Sequence, residues 1–360
     1  MDVVEATAAY ERWLRRKLAA VAPDLRHKHA CMDASLFQFF RATFYRWVPV
    51  WHQTCAGLAE APQLLAVGDL HVENFGSWRD REGRLAWGLN DVDEAARMPY
   101  TMDLVRLATS ALLAKREDHL VIRADEACDA ILDGYIAGLR AGGEPFVLEE
   151  EHPGLRAWAM SAERAPDKFW AKLTAGKPIN APAAVRGLLA ASLPNRRLPF
   201  RTVHRVAGLG SLGRPRYVAL ASWAGGNLAR EAKATLPSAY QWAMGRADDR
   251  VRGGELLKAA VRCPDPYLRV DDGWVVRRLA PHCSRIELAS LPKRRDEHRL
   301  LNAMGRETAN LHLGAPDQRA SILRHLGKQK DGWLVDAAQA MGKATKADWK
   351  AWRGRRRTVS

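Results

Sequence analysis

The sequence predicts an α+β fold, in which a small antiparallel sheet forms one lobe and a mainly helical part forms the other. Between residues 201 and 235, three short apolar segments alternate with turns, the pattern of an antiparallel meander. Elsewhere, apolar residues recur at helical spacing, as from Leu300 to Leu313. With 360 residues, 47% of them hydrophobic, the chain can bury a substantial core and form two lobes rather than separable domains.

Three regions follow in chain order. Residues 1–195 are predicted to be helical, residues 196–285 to form the sheet lobe, and residues 286–360 to add C-terminal helices and a basic tail to the helical lobe. The segment 1–22 is charged and amphipathic, unlike a secretory signal, and we expect a cytoplasmic protein. The sequence has no apolar run of the length that a membrane span needs.

Near the start of the chain, three polar residues have the spacing found in phosphotransferases. Asp69 is followed five residues later by Asn74, and Asp91 comes after two short strands, 75–78 and 85–89, joined by a turn. In a kinase-type site the first Asp orients or deprotonates the attacking hydroxyl, while the Asn and the second Asp hold magnesium on the nucleotide phosphates. We therefore predict Asp69 as the catalytic residue and Asn74 and Asp91 as magnesium ligands.

These motifs resemble the catalytic loop (HGDLHxxN) and metal Asp (IDWxxA) of aminoglycoside phosphotransferases and choline kinases, although Val67 replaces the leading His. Asp103, in DLVRLA, resembles the start of the helix that follows the metal Asp, and we interpret it as a structural cap. GDLHVENFG, LNDVDEA, DLVRLATS and GLGSLG more closely resemble a bacterial family known as domain of unknown function 2252. The resemblance implies a two-lobed, protein kinase-like fold.

The nucleotide-binding part lies downstream. Strands are predicted at 201–207, 216–222 and 228–235, and the first two are joined by Gly208, Gly210, Ser211 and Gly213 in the sequence GLGSLG. In kinase small lobes, the backbone N–H groups of such a turn cover the ATP phosphates. A Rossmann turn would need a helix directly after the last Gly, and Pro215 prevents one.

The third strand should supply a cation for the phosphates. The family pattern LQxKEA aligns its Lys with Arg230, while Lys233 is the alternative. A regular strand directs these two side chains to opposite faces, so at most one faces the nucleotide. We favour Arg230, with Glu255, in a helix predicted at 239–260, as an acidic partner of the cation. A short apolar strand is predicted to follow at 274–279.

The order of these motifs differs from that of a kinase. Residues 307–312 resemble the LARLH helix that immediately precedes the catalytic loop in phosphotransferases, yet here they follow all the other motifs. The chain therefore resembles a kinase cut just before its catalytic loop and rejoined. We infer a circular permutation, which compact domains tolerate when their termini lie close together.

A net charge of +15 favours anionic partners, with ATP and Mg²⁺ first among them. The basic tail 346–357 contains Trp349 and Trp352 and has the composition of a nucleic-acid-binding segment, but no recognised reader motif accompanies it, and a solvated helix is favoured.

Other candidates carry less weight. His27, His29 and Cys31 lack a fourth ligand at recognisable spacing, so a polar stretch is favoured over a metal site. Arg41, within an aromatic-rich segment, is a further candidate for contact with nucleotide or acidic substrate. The five scattered cysteines argue against a disulfide framework.

The function predicted is that of an ATP-dependent, magnesium-requiring phosphotransferase acting on a hydroxyl acceptor. Two alternatives stay open, a nucleotide-binding pseudokinase with a regulatory role and a basic nucleic-acid-binding protein. The acceptor is not identified, and its pocket is expected on variable segments such as residues 145–194.

Overall fold

The structure, a computed structural model, describes residues 1–117, 120–149, 151–271, 273–283, 285–286 and 296–357. It confirms the α+β class, with many helices and small antiparallel sheets. The helices are α1 (Val3–Lys17), α2 (Ala22–Ala34), α3 (Leu36–Ala42), α4 (Phe44–Thr54), α5 (Tyr100–Lys115), α6 (Ala124–Ala141), α7 (Pro153–Ala159), α8 (Pro166–Thr174), α9 (Ala183–Ala191), α10 (Ala239–Ala243), α11 (Gly253–Ala259), α12 (Glu297–His312), α13 (Arg319–Leu326) and α14 (Trp333–Arg357).

The strands form three antiparallel sheets. They are β1 (Gln63–Ala66), β2 (Phe75–Arg79), β3 (Leu85–Leu89), β4 (Ala96–Pro99), β5 (Phe146–Val147), β6 (Arg201–His204), β7 (Arg216–Trp223), β8 (Gly226–Ala234), β9 (Arg269–Asp271) and β10 (Trp274–Leu279). The largest sheet has the order β6-β7-β8-β10-β9, and the others are β2-β3-β5 and β1-β4. The predicted meander is thus present as β6, β7 and β8, and β10 and β9 extend it.

The helical part is built around α5, α6, α12 and α14, which come from distant parts of the chain. α6 and α12 approach each other closely at Gly134 and Gly305. A Cβ on Gly134 would lie 2.0 Å from the carbonyl oxygen of Asn302, and one on Gly305 would lie 2.1 Å from that of Ile131. Only glycine permits this backbone contact, which joins two segments far apart in the sequence in one core.

Helices α8 and α9 pack against the large sheet. Leu173 of α8 lies in a cluster with Val203 and Val218, and Leu189 of α9 lies in a second cluster with Ala232. The sequence-based division at residue 195 assigned both helices to the helical part, whereas their apolar side chains are buried on the sheet. The position of a short amphipathic helix in the sequence does not indicate which of the two hydrophobic cores buries it.

The helix predicted over 239–260 is two shorter ones, α10 and α11. α10 is followed by Gly245, whose φ of 62° is left-handed and incompatible with a continuing right-handed helix. The strands predicted at 85–89 and 274–279 have the same bounds in the structure.

The C-terminal helix α14 is tied to the fold by its tryptophans. Trp349 donates a hydrogen bond from Nε1 to the carbonyl oxygen of Met32 at 2.9 Å, and Trp352 is 3% exposed. These rings are therefore engaged with the protein rather than available for base stacking. Part of the basic tail that was considered for nucleic-acid binding, the side chains of 355–357 and residues 358–360, lies outside the described residues.

Within the part of the chain that the structure describes, no helix has both the length and the apolar character needed to cross a membrane.

Candidate functional site

The loop that carries Asp69 begins at a point fixed by two distant helices. The carboxylate of Asp103, in the first turn of α5, accepts hydrogen bonds from the backbone N–H groups of Val67, at 2.7 Å, and Gly68, at 2.8 Å. Its Oδ2 also lies 3.0 Å from Nε2 of His312, at the end of α12. Asp103 is thus a clamp on the loop rather than a cap of its own helix, and the end of α12 lies one side chain away from the start of the loop.

The β2-β3 hairpin brings Asn74 back towards Asp91. Phe75 pairs with Leu89, and just beyond this pair the N–H of Asn90 donates to the carbonyl oxygen of Asn74 at 2.8 Å. The side-chain amide nitrogen of Asn74 donates to the backbone oxygen of Asp69. The amide oxygen of Asn74 is consequently the atom that can serve as a cation ligand.

Asp69 is held by a buried guanidinium. Arg106, in α5, donates from Nε and Nη2 to Oδ1 of Asp69, with the Nε bond at 2.9 Å, and Arg106 itself is 0% exposed. Burial raises the pKa of the Asp69 carboxyl, and Arg106 opposes this rise. Asp91 also raises the pKa, which places the two carboxylates within electrostatic range of each other.

The Arg106 guanidinium lies in an aromatic cage. Its central carbon is 4.1 Å from the ring centre of Phe40, 4.8 Å from that of Phe44 and 4.9 Å from that of Trp47. Cation–π contacts of this kind compensate in part for the lost hydration of a buried cation. Sequence reasoning missed Arg106, although an Arg within an otherwise apolar helix was the signal.

Asp91 and Asp93 share one cation. The Lys233 ammonium contacts Asp93 and lies 3.4 Å from Oδ1 of Asp91. Burial acts to raise the pKa of Asp91, but Lys233 and then Arg277 outweigh it and lower the pKa to about 2. Burial and the nearby Asp91 raise the pKa of Asp93. Asp91 therefore stays ionised at neutral pH, as a carboxylate ligand of a metal ion must.

A cavity of about 790 Å³ joins these groups to the glycine turn, residues 208–213. Asp69, Asn74 and Asp91 line it together with Gly208, Gly210 and Ser211, as does Arg41. The described lining residues do not include Gly213, Arg230 or Lys233. Most of the predicted site residues, from segments more than a hundred positions apart, thus face one space.

The glycine turn lies directly against the Asp69 loop. A Cβ on Gly210 would be 3.2 Å from Oδ2 of Asp69 and 3.2 Å from the carbonyl oxygen of Arg41. Lys28, in α2, donates to the carbonyl oxygen of Gly210 at 3.1 Å and so ties the turn to the helical part. Gly213 lies against α2 instead, because a Cβ on it would be 2.4 Å from the side chain of Leu25.

The preference for Arg230 over Lys233 requires correction. Arg230 donates to the carbonyl oxygen of Ser192 at 2.9 Å, beyond the end of α9, and its guanidinium stacks 4.5 Å from the ring centre of Tyr267. The neighbouring Glu231 and the next alternate residue Lys233 face the opposite way, because side chains alternate along a strand. Lys233 lies behind Asp91 rather than on the cavity wall. Glu255 pairs with Arg252 and not with either cation.

Three of the cations that do line the cavity are arginines grouped around one carboxylate. Glu231 is 0% exposed and accepts hydrogen bonds from Arg205 at 2.7 Å, Arg216 at 2.8 Å and Arg277 at 2.9 Å. Although burial opposes it, these arginines hold the pKa of Glu231 well below its usual range. All three arginines line the cavity, and the cluster has a net charge of +2. Arg216 also donates to Oγ of Ser211 at 3.0 Å, so the cluster adjoins the glycine turn.

The remaining candidates have local partners. Arg41 donates from Nη1 to Glu73, His29 contacts Glu11, and Cys31 lies 3.7 Å from His27. Among the described residues, no three His, Cys, Asp or Glu side chains are grouped so as to hold a metal ion by themselves. Asn74 and Asp91 offer one amide and one carboxylate oxygen, a set that suits magnesium where phosphate and water complete the coordination. The five cysteines are free thiols.

Comparison with known proteins identifies the family of the chain. The sequence profile described as an uncharacterized protein conserved in bacteria (DUF2252) matches residues 21–165 and 201–355. The chain belongs to this family. The matched segments contain Asp69, Asn74, Asp91 and the glycine turn, whereas residues 166–200, which carry α8 and α9, lie between them. No curated protein and no solved structure matches the chain.

Proposed function

We propose that the protein is an ATP-dependent, magnesium-requiring phosphotransferase with a circularly permuted, protein kinase-like fold. The observation that carries this proposal is the shared cavity. Asp69, Asn74 and Asp91 line it together with the glycine turn, although the turn follows them by more than a hundred residues. A scaffold has no need of a catalytic carboxylate at that position, so this convergence favours chemistry.

In the proposed reaction, the oxygen of an acceptor hydroxyl attacks the γ-phosphorus of ATP. A new phosphorus–oxygen bond forms, the bond to the β,γ-bridging oxygen breaks, and ADP leaves with the electron pair. The hydroxyl proton passes to the Asp69 carboxylate, which Arg106 holds in position. Magnesium, when bound, would neutralise phosphate charge and would be held by Asn74 and Asp91.

The arginine cluster supplies the charge that a kinase takes from its strand lysine. Arg205, Arg216 and Arg277 place three positive charges around the single negative charge of Glu231, and this excess of positive charge attracts phosphate oxygens. Their guanidinium groups can donate to phosphate in pairs, which a lysine cannot do. Arg230, outside the cavity, is not needed for this role.

Support for the permutation comes from the ends of the motifs. In an unpermuted kinase the LARLH helix leads directly into the catalytic loop, and here His312 reaches that loop through a single side chain, Asp103. A contact between the end of this helix and the start of the loop is what a permuted kinase order would require. Closure of one core by α6 and α12 is consistent with such a rearrangement.

A nucleotide-linked stability measurement tests the proposal. Purified protein is heated with ATP or GTP, with and without Mg²⁺, and its Tm is recorded. A ligand that binds the native state at 100 times its Kd should add about 2.7 kcal/mol of stability. We expect Tm to rise only when a nucleotide and Mg²⁺ are present together. If Tm does not rise with either ATP or GTP in the presence of Mg²⁺, the assignment is rejected.

One observation favours a second candidate, a nucleotide-binding pseudokinase. Lys233 contacts both Asp91 and Asp93, so the proposed metal ligand already has a cationic neighbour. A pseudokinase would show nucleotide-linked stabilisation without transfer of phosphate. Release of ADP from ATP, measured over hours with Asp69→Asn as the blank, separates the two candidates.

A further inference from the structure

We propose that the nucleobase of the nucleotide binds at the end of the cavity far from the glycine turn, and that His282 recognises it. This inference rests on the proposed function and names a specificity-determining residue of the same site. The part of the cavity concerned is the apolar end, which is defined by five lining residues, namely Phe169, Leu173, Leu279, His282 and Cys283.

The register of the large sheet separates the apolar end from the glycine turn. Arg216, at the start of β7, donates to Oγ of Ser211 in the turn. Across β8, Leu279 is level with Leu220, which lies four positions further along β7 than Arg216. At about 3.3 Å per residue, the offset is roughly 13 Å. Because Asp69 lies against the glycine turn, the apolar end is also remote from the proposed proton acceptor.

The arginine cluster and the apolar end are separated by a distance that one nucleotide can span. Arg277 and Leu279 both line the cavity and are two positions apart in β10. Side chains at such positions share one face of a strand and lie about 7 Å apart. With phosphate oxygens beside Arg277, the ribose would bridge this gap and the nucleobase would reach Leu279.

The apolar end offers a surface that suits a flat ring. Leu173 of α8 and Leu279 belong to one hydrophobic cluster, and Phe169 packs against it. A nucleobase gains free energy when its faces leave water for apolar side chains, whereas a phosphate does not. Apolar side chains at this end and arginines beside the glycine turn thus match the two ends of a nucleotide.

His282 has an unusual backbone conformation at this end of the cavity. Cys283 donates its N–H to the carbonyl oxygen of Ala280 at 3.1 Å, which closes a tight turn. Within the turn, His282 has a left-handed φ of 58°, a conformation that glycine adopts more readily. Oγ of Ser77 donates to the carbonyl oxygen of His282 at 2.6 Å and fixes the turn to β2. Backbone strain of this kind is concentrated at ligand-binding positions, so the turn is consistent with such a role.

The imidazole of His282 can match the edge of a nucleobase. The ring lines the cavity, and no hydrogen bond joins it to any other described residue. Burial lowers its pKa, as do Arg164 and Arg79, so the ring is neutral at pH 7. A neutral imidazole has one hydrogen-bond donor and one acceptor, as the edges of nucleobases do, whereas a phosphate mainly offers acceptors.

Comparison of ATP with inorganic tripolyphosphate tests the contact, because tripolyphosphate has the phosphates of ATP and no nucleobase. Isothermal titration calorimetry in the presence of Mg²⁺ measures the Kd of each ligand for the wild type and for His282→Gly. We expect the wild type to bind ATP more tightly than tripolyphosphate. His282→Gly should bind ATP roughly 10-fold more weakly and tripolyphosphate within about twofold of the wild type, since only the nucleobase contact is lost.

Ala224→Gly is the matched control. Ala224 is the other described residue besides glycine with a left-handed φ, 48°, and it lies in the exposed turn between β7 and β8, outside the described cavity lining. Glycine adopts both conformations without strain, so both variants should keep a Tm within about 3 °C of the wild type. Ala224→Gly should also keep the wild-type affinity for ATP. His282→Gln, which retains a donor and an acceptor, should recover part of the affinity that His282→Gly loses.

Selectivity among nucleotides gives a second measurement. ATP, GTP, CTP and UTP differ only in the nucleobase. We expect the wild type to bind the best of them roughly 10-fold or more tightly than the worst, and His282→Gly to reduce this range to about threefold. An unchanged range of Kd in His282→Gly would show that another side chain distinguishes the nucleobases.

The outcomes of the ATP and tripolyphosphate titrations separate this inference from the proposed function. If the wild type does not bind ATP, the phosphotransferase itself is rejected. If the wild type binds ATP but no more tightly than tripolyphosphate, or if His282→Gly binds ATP as the wild type does, the nucleobase assignment alone is overturned. An equal loss of affinity for both ligands in His282→Gly would also overturn it, because His282 would then act on the phosphate region.

Discussion

The carboxylate of Asp69 is bound through Oδ1 to the fully buried guanidinium of Arg106, with Nε at 2.9 Å. Phe40, Phe44 and Trp47 surround that guanidinium, so neither its position nor its charge can change easily. Arg106 binds Oδ1, so the other carboxylate oxygen, Oδ2, faces Gly210 and the cavity. A base that must accept a proton at one defined place needs such a fixed partner.

Removal of the Arg106 charge should shift the pH dependence of turnover. Arg106 opposes the rise that burial imposes on the pKa of Asp69, so Arg106→Gln should raise that pKa further. Because Asp69 must be ionised to accept a proton, the acid limb of the kcat/KM profile should move to higher pH. Arg106→Lys keeps the charge and should move it less.

Folding of both Arg106 variants is checked by their unfolding free energy. Loss of one partner of a buried ion pair costs roughly 3–5 kcal/mol of stability. Arg106→Gln is therefore expected to be less stable than the wild type near neutral pH. An acid limb at the same pH in Arg106→Gln and the wild type would contradict the positioning role, even if stability falls.

Different roles for the two carboxylates can be separated by substitution. Asp69→Asn should retain Mg²⁺-dependent ATP binding and lose turnover by about 10²- to 10⁴-fold, because it removes the proton acceptor and little volume. Asp91→Ala should weaken binding of ATP in the presence of Mg²⁺, because it removes the ionised metal ligand. Calorimetry measures binding and ADP release measures turnover. Equal loss of ATP binding in both variants would show that the roles are not divided in this way.

Much of the local structure could be predicted because it depends on local signals. The strand at 274–279 and the hairpin around Asp80 to Gly83 follow from apolar runs and turn residues, and the structure has them at the predicted places. The meeting of the glycine turn with Asp69 is non-local, and it was predicted from the resemblance of the motifs to those of kinases. That resemblance supplied the long-range information that local signals lack.

The remaining features depend on which face of an element meets which core. The register of β8 puts Glu231 and Lys233 on the face of the sheet nearer Asp91 and puts Arg230 on the other face. The sequence of β8 has acidic and basic residues next to each other, so it does not indicate which face is which. The cluster around Glu231 draws arginines from β6, β7 and β10 or their ends, so no single motif contains it. Only the assembled sheet brings those charges together.

Arg205 and Arg230 provide a matched test of the arginine cluster. Arg205 lines the cavity and is the most exposed of the three arginines at Glu231, with 27% of its side chain accessible, whereas Arg230 lies on the other face of the sheet. Arg205→Ala should weaken ATP binding roughly 10-fold, equivalent to about 1.4 kcal/mol. Arg230→Ala should leave it within about twofold of the wild type. Calorimetry with Mg²⁺ and ATP measures both, and a larger loss in Arg230→Ala would reverse the assignment of strand faces.

The contact between the glycine turn and Asp69 makes Gly210 sensitive to a single methyl group. In Gly210→Ala the new Cβ would lie 3.2 Å from both Oδ2 of Asp69 and the carbonyl oxygen of Arg41, closer than ordinary van der Waals contact. One of these groups must move, and displacement of Asp69 by even a few tenths of an ångström should lower kcat by roughly 10-fold or more, since catalysis depends on alignment.

Gly187→Ala, in α9, is the control because nothing lies within 4 Å of its added methyl. That variant should keep wild-type kcat and gain up to about 1 kcal/mol of stability from better helix propensity. If Gly210→Ala kept wild-type kcat and ATP affinity while Gly187→Ala behaved as expected, the turn would have no functional contact with Asp69.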